Sequence, residues 1–298
     1  IVSLVIILTP HVLGESSGLI TRIVGAVCVA FFAFMFVTVS SRIVGLVGVS
    51  SNPTSGMTIV TLLGTSLIFY ALGWTDDIGK TAVLTIGTVV CVAASIAGDI
   101  SQDLKSGFLI GATPRKQQTA ELIGAITSAF FIAGAVWLLG HAFTFGSEEL
   151  PAPQATLMKT VIEGVLQGDL PWGLVLTGAA FAGVVELLGI PSLPFAVGIY
   201  LPLSTMTPVY VGGTIRYFVE KSAKGDSEML EKRNERGILL GSGLIAGEGI
   251  MGVLIAAYAF FAGKPQGIGW AFRGTFGEFV ALGVFALLGF YLVRKTRG

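Results

Sequence analysis

The residues of this chain that could do chemistry are acidic side chains within long apolar segments. Glu186, Glu248 and Glu278 each fall in such a segment, where an ionisable group is costly and usually marks the path of an ion or a substrate. A carboxyl group shielded from water favours its neutral form and can carry a proton. We expect proton coupling by Glu186 and Glu248, the alternative for Glu248 being a neutral carboxyl hydrogen-bonded between helices. Glu278 is better explained by pairing with Arg273, about one turn away.

A second group of polar residues follows Gly98. Asp99 and Asp103 are four residues apart and would share one face if a helix continues past Gly98, which makes them candidates for proton coupling. Gln102 and Lys105 are candidate substrate-binding residues. Lys105 could bind a substrate carboxylate, or it could neutralise one of the aspartates. The alternative is a cytoplasmic loop that anchors a helix end.

The segment from Ser50 to Thr58 brings hydroxyl groups, an amide, a proline and a glycine to the start of an apolar stretch. Asn52 or Ser55 could cap the helix that follows, and we prefer this interpretation. Alternatively, both residues bind substrate, offering hydrogen bonds to a carboxylate or peptide group beside the helix N-terminus.

The composition predicts an all-α, polytopic membrane protein. Hydrophobic residues make up 53% of the chain and charged residues 12%, and the mean hydropathy is +0.83, a balance that is rare in soluble domains. A helix needs roughly 20 apolar residues to cross the hydrocarbon layer. About eight segments qualify, and a further stretch, Ile1–Leu13, resembles the end of a span. The segments are Gly18–Ser40, Ser55–Trp74, Ile78–Gly98, Thr119–Leu139, Trp172–Ile190, Leu193–Val219, Gly237–Ala262 and Phe272–Val293.

One of these segments, Leu193–Val219, is predicted to be broken or re-entrant. Three prolines interrupt it, Pro202 being the central one, and proline removes a backbone donor and clashes with the preceding turn. Transporters use such discontinuous helices to hold a substrate or an ion. Tyr200 and Ser204 are therefore candidate substrate-binding residues. An ordinary proline-kinked span is the alternative.

The distribution of charge predicts which regions face the cytoplasm. Most of the 18 basic residues lie in three regions, 105–116, 221–236 and 294–297, which the positive-inside rule places in the cytoplasm. The connection 141–171 carries four acidic residues against one lysine and should face outward. It contains a predicted amphipathic helix, between Pro153 and Gly168, which we expect at the membrane interface or over an outward vestibule. Three apolar segments separate the first two basic regions, and this odd number also favours a re-entrant element.

Other function classes find little support in the sequence. Cys28 and Cys91 lie inside apolar segments, as small core residues do, and His11 and His141 are the only histidines. No metal site, resident cofactor or disulfide is expected. Because no zinc motif or catalytic serine pattern is present, a membrane-embedded enzyme is a poor alternative. A channel or scaffold without proton coupling stays open, and the net charge of zero gives no sign of nucleic-acid binding.

Short strings over nearly the whole chain resemble the oligopeptide transporter family, in its prokaryotic branch. The most specific is GDISQDLKSG at 98–107, continuing through ATPRKQQ at 112–118. Yellow-stripe-like metal-chelate transporters of the same family carry a similar acidic-glutamine-lysine-glycine pattern. The other strings are SRIVG at 41–45, NPTSGMT at 52–58, LPAPQAT at 150–156 and LPFAVGIYLPLS at 193–204.

This resemblance implies a transporter that imports small peptides, or metal bound to peptide-like chelators, together with protons. The substrate would cross intact, and metal would be cargo. Because family members are about twice as long and the chain starts at Ile1, we expect residues 1–298 to be the C-terminal half of the transmembrane domain. The expected partners are the N-terminal half, substrate, protons and the lipid of the cytoplasmic (inner) membrane, with the C-terminus in the cytoplasm. A homo-oligomer stays open.

Overall fold

The computed structural model of this chain describes residues 7–9, 12–13, 18–48, 52–147, 150–223, 226–263 and 275–297. Within these ranges the chain forms ten helices and no strand. This architecture confirms the predicted all-α fold class. The helices are α1 (Leu19–Val47), α2 (Thr54–Ala71), α3 (Asp77–Ile110), α4 (Pro114–Ala142), α5 (Pro153–Leu166), α6 (Trp172–Leu187), α7 (Ser192–Tyr200), α8 (Leu203–Lys221), α9 (Ser227–Ala262) and α10 (Thr275–Arg297).

Six of the described helices are long and apolar enough to cross a membrane, namely α1, α2, α3, α4, α9 and α10. They confirm a multi-pass integral membrane protein. The segment predicted at Trp172–Ile190 forms α6, which has only 16 residues and is shorter than a full crossing usually needs. Most of the stretch Ile1–Leu13 lies outside the described residues.

The described helices fall into two compact units. The first is drawn from Ile1–Phe130 and Ala152–Leu193, and the second from Phe131–Pro151 and Pro194–Gly298. In the first unit, α3 packs against α1 and α2, and α5 packs against α2. The largest buried side chains of its core include Phe69, Ile86 and Leu62, together with Ile162 of α5.

The sequence of α3 explains its central place in the first unit. Buried small and apolar residues recur every three or four positions from Ala82 to Gly98, which gives the helix one continuous packing face. Asp76 caps its start by accepting a hydrogen bond from Gly79 N at 2.8 Å. Gly111 ends it in the left-handed conformation, at φ 74°, which glycine adopts without strain.

The amphipathic helix predicted between Pro153 and Gly168 is α5, and its buried residues are Ile162, Val165 and Leu166. A side chain at Gly168 would lie 3.6 Å from the Tyr70 hydroxyl, near the end of α2. Since α2 begins just after Asn52, the turn after α5 lies at the opposite end of α2 from Asn52.

The second unit contains the predicted break. α7 ends at Tyr200 and α8 begins at Leu203, and Pro202 between them is extended, with ψ 146°. A broken element is thereby confirmed, whereas its re-entrance stays a prediction. α8, α9 and α10 contact one another. α9 begins within the charged connection, because Asp226 caps it by accepting hydrogen bonds from Glu228 N and Met229 N, both at 3.1 Å.

Candidate functional site

A buried polar contact joins α1, α3 and the start of α2. The fully buried Ser40 hydroxyl donates to Ala94 O at 2.6 Å and lies 3.0 Å from Asn52 Oδ1. Asn52 Nδ2 lies 3.5 Å from the same carbonyl oxygen. A Cβ atom at Gly98 would stand 2.5 Å from Asn52 Nδ2, so glycine is what allows this close approach. The Asn52 side chain is thus held within the protein.

The prediction that Asn52 or Ser55 caps α2 is wrong. The residue at the N-cap position is Pro53, and no side chain among the described residues makes a capping hydrogen bond there. The physical reason is that the Asn52 amide is already engaged by Ser40 and the carbonyl oxygen of Ala94. Ser55 is half-buried in the first turn of α2, and its role as a substrate-binding residue stays a prediction.

An acidic cluster forms where α3 meets the start of α4. α3 continues past Gly98 to Ile110, which confirms that Asp99 and Asp103 lie one turn apart. Gln117 Nε2 of α4 donates to the backbone oxygen of Asp103 at 3.0 Å. One turn further along α4, the Glu121 carboxyl group lies beside the Asp103 carboxyl group and close enough to Asp99 for the two charges to interact. We call Asp99, Asp103 and Glu121 the acidic cluster.

The acidic cluster lacks a neutralising partner among the described residues. Both Glu121 carboxyl oxygens are closed off from water, and no donor from the described part of the chain reaches them. The neighbour within hydrogen-bonding reach is the Asp103 carboxyl group, which can share a hydrogen bond with Glu121 only when one of the two holds a proton. Lys105 is exposed and makes no ion pair within the described ranges. The arrangement is therefore suited to taking up a proton or a cationic group.

Two other predicted site residues, Gln102 and Glu186, belong to the first unit. Gln102 is exposed on α3. Its Oε1 atom lies 3.9 Å from the position that a Cβ atom at Gly48 would occupy. Glu186 is also exposed, and its Oε2 accepts a hydrogen bond from Ser192 N, the first residue of α7, at 3.1 Å. That contact shows a structural role for Glu186, since it satisfies a free N–H at a helix start.

The remaining predicted site residues belong to the second unit. Tyr200 and Ser204 flank the break between α7 and α8, where Tyr200 is half-buried and Ser204 exposed. Glu248 is exposed in the apolar part of α9. Glu278 is exposed in the first turn of α10, and its predicted partner Arg273 lies outside the described residues.

Glu121 is the functional candidate that the sequence interpretation missed. It stands 18 positions after Asp103, in a segment that was assigned simply as a span. The signal that could have identified Glu121 is its spacing from Gln117, because residues at i and i+4 lie on one face of a helix. Both residues come soon after the short connection between α3 and α4.

Long apolar helices and a proline-broken segment together define a multi-pass helical membrane protein. The particular family follows from comparison with known proteins. This chain belongs to the oligopeptide transporter family, since the family model described as "OPT oligopeptide transporter protein" matches residues 1–259.

Similar proteins occur in bacteria, fungi and plants. The chain is 34% identical over 259 residues to the "Putative oligopeptide transporter" of Haemophilus influenzae, covering 76% of this chain and 41% of that protein. It is 30% identical to the "Putative oligopeptide transporter YGL114W" of Saccharomyces cerevisiae, covering 68% and 29%. For the "Probable metal-nicotianamine transporter YSL5" of Arabidopsis thaliana the identity is 28%, covering 66% and 32%. The chain thus spans between 29% and 41% of the length of these relatives, and no solved structure matches it.

Proposed function

We propose that the transporter containing this chain imports small oligopeptides, or peptide-like metal chelates, together with protons. The observation that carries this proposal is the acidic cluster, whose Glu121 carboxyl group lies beside Asp103 with no donor or cation from the described residues. Ionisable groups in membrane proteins are costly and are kept where ions or substrates pass. The names of the relatives support the two substrate classes.

The roles of the individual residues divide by their chemistry. Asp99, Asp103 and Glu121 would exchange the coupling proton, while Lys105 and Gln102 would bind the substrate carboxylate or peptide groups nearby. In the second unit, Tyr200 and Ser204 beside the helix break are candidates for substrate contact, and Glu248 for a further proton site. The break exposes backbone groups that a peptide-like substrate can satisfy.

The proposed orientation has the acidic cluster and the C-terminus on the cytoplasmic side of the inner membrane. The basic regions favour this orientation, and the position of Gly168 beside Tyr70, at the far end of α2 from Asn52, is consistent with an outward-facing α5. We also propose that the chain is the C-terminal part of a longer transmembrane domain and that the N-terminal half completes the transport path. Whether the transporter forms a homo-oligomer is a separate question for mass measurement in detergent.

The test is uptake of a labelled peptide library, and of an iron–nicotianamine chelate, into proteoliposomes containing the complete transporter. An inward proton gradient should accelerate uptake of the accepted substrate. The variants Asp103→Asn and Glu121→Gln should each lower gradient-driven uptake about tenfold or more, because removing a charge-carrying group from an ion path usually abolishes coupling. Asp77→Asn is the matched control, since Asp77 starts the same helix and its side chain is 97% exposed.

The outcomes separate the proposal from its alternatives. Wild-type uptake that ignores the proton gradient would favour a channel or an uncoupled carrier. Coupled uptake that survives both substitutions, with correct insertion, would remove the acidic cluster from the mechanism. A loss of uptake in Asp77→Asn equal to the loss in the cluster variants would show that the effect is a general one on α3.

A further inference from the structure

The second unit contains an apolar cleft. It runs between α8 and α10, has a volume of about 670 Å³, and has apolar side chains such as Pro208, Ile215 and Phe285 in its walls. The one polar side chain among its lining residues is Thr207, whose hydroxyl already donates to Leu203 O at 2.7 Å. A peptide in this cleft would leave its backbone groups unpaired, at a high cost. A hydrocarbon chain has no such groups.

The apolar cleft continues into a second cavity whose walls carry charge. This cavity has a volume of about 260 Å³, shares Ile215 and Leu292 with the cleft, and adds Arg216 and Arg233. Arg216 Nε donates to Glu220 Oε1 at 2.7 Å. Because Glu220 also lines this cavity and neutralises Arg216, the positive charge at this end of the cleft comes from Arg233.

Arg233 has an unused hydrogen-bond donor. Its Nη1 donates to Val219 O at 3.1 Å and to Ser222 Oγ at 2.8 Å. Its Nε is closed off from water and has no partner among the described residues. A buried donor without an acceptor destabilises a protein, so an acceptor supplied by a ligand would complete this site.

Further cations surround the same guanidinium group. Arg233 also lines a third cavity, of about 270 Å³, together with Lys232, Arg236 and Arg297. Both acidic residues of that cavity are engaged within α9, one as its N-cap and the other with Lys232 at 2.6 Å. Arg236 and Arg297 take part in no ion pair within the described part of the chain. An excess of positive charge is thus available to an anion.

We propose that this cleft binds one anionic phospholipid, with an acyl chain between α8 and α10 and the phosphate group at Arg233, Arg236 and Arg297. The guanidinium group binds phosphate through paired, charge-assisted hydrogen bonds. Basic pockets between membrane helices bind anionic headgroups, which are abundant in the cytoplasmic leaflet. The apolar walls and the adjoining cations together fit a lipid better than either a peptide or a soluble phosphate compound.

The test is native mass spectrometry of the complete transporter with palmitoyl-oleoyl phosphatidylglycerol, compared with phosphatidylethanolamine bearing the same chains. Phosphatidylglycerol should be retained preferentially. Arg236→Gln combined with Arg297→Gln should weaken its binding about tenfold or more, because each basic residue near a headgroup adds attraction. The double lysine variant Arg236→Lys, Arg297→Lys keeps the charge and should retain most of the binding. Arg115→Gln with Lys116→Gln is the matched control, since it removes equal charge in the first unit.

A second variant tests the apolar part without changing charge. Ala286→Trp places a large side chain in the cleft and should displace the long-chain lipid while unfolding remains at the wild-type temperature. Equal retention of the two lipids, or undiminished phosphatidylglycerol binding in both Arg236→Gln, Arg297→Gln and Ala286→Trp, would overturn the proposal. So would a cross-link from Ala286→Cys to another helix of the transporter in place of lipid.

Discussion

At the scale of single residues, two buried threonines on α2 make different use of their hydroxyl groups. Thr61 and Thr65 are both completely buried and lie one turn apart. Thr61 Oγ1 donates to Met57 O at 2.9 Å, whereas Thr65 Oγ1 has no partner among the described residues. A buried hydroxyl without a partner is destabilising, so the two sites should respond differently to the same substitution.

Thr65→Val should leave the transporter as stable as the wild type or more so, because valine keeps the shape and removes an unsatisfied group. Thr61→Val should be less stable than Thr65→Val by about 1 kcal/mol, since it removes a hydrogen bond that is made. The measurement is the midpoint of thermal unfolding in detergent. Equal losses in both variants would mean that Thr65 has a partner of its own, such as water or substrate.

Sequence reasoning identified two of the carboxyl groups that the structure brings together in the acidic cluster, but not the contacts that join separate helices. Asp99 and Asp103 were predictable because their spacing depends only on helical periodicity. Glu121 and the contact between Ser40 and Asn52 were not, because each joins separate helices and depends on how those helices pack. The contact of Glu186 with Ser192 N was not predictable for the same reason, since it exists only once α7 begins where it does.

At the scale of helices, the packing of α2 against α3 depends on the absence of a side chain at Gly87. A Cβ atom there would collide with the Leu62 side chain, including its Cγ atom at 2.9 Å. Leu62 is only 1% exposed, so it has no free space into which to move. Small residues allow helix axes to approach closely in membranes.

Gly87→Ala should therefore cost about 1–3 kcal/mol through overpacking, and it should lower the thermal unfolding midpoint in detergent. Gly45→Ala on α1 is the control, because nothing lies within 4 Å of the added atom and alanine is the better helix former. If both variants melted alike, the tight packing of α2 on α3 would not be a determinant of stability.

Hydropathy predicted the helices well but not where they end. α3 and α9 extend far into the polar segments that the sequence interpretation left outside the predicted spans. Apolar composition reports which residues favour hydrocarbon, whereas a helix continues in water as long as caps and propensity allow. The break at Pro202 was predictable because proline acts through the backbone itself.

At the scale of the whole molecule, much of the apolar surface is uncovered within the chain alone. The apolar windows of α4, α9 and α10 are 0% buried within this chain. Such surface is stable only against lipid or against other protein. The chain covers 41% of the Haemophilus influenzae relative, and the N-terminal half that we propose would be one partner for these faces.

The proposed membrane topology can be tested by single-cysteine labelling of the transporter with a membrane-impermeant maleimide, in a cysteine-free background. Lys159→Cys on α5 should react from outside, because the positive-inside rule leaves that connection external. Lys116→Cys and Lys232→Cys should react only after permeabilisation. Labelling of Lys159→Cys and Lys116→Cys from one side would contradict the proposed topology.

The length of α3 has a consequence for proton exchange. Its 34 residues rise about 50 Å at roughly 1.5 Å per residue, against about 30 Å of hydrocarbon. If Asp77 lies at one boundary of the hydrocarbon layer, Asp99 and Asp103 lie beyond the opposite boundary, among the lipid headgroups. Protons would then reach these carboxylates from bulk water directly, with no relay of buried donors and acceptors between them and the cytoplasm.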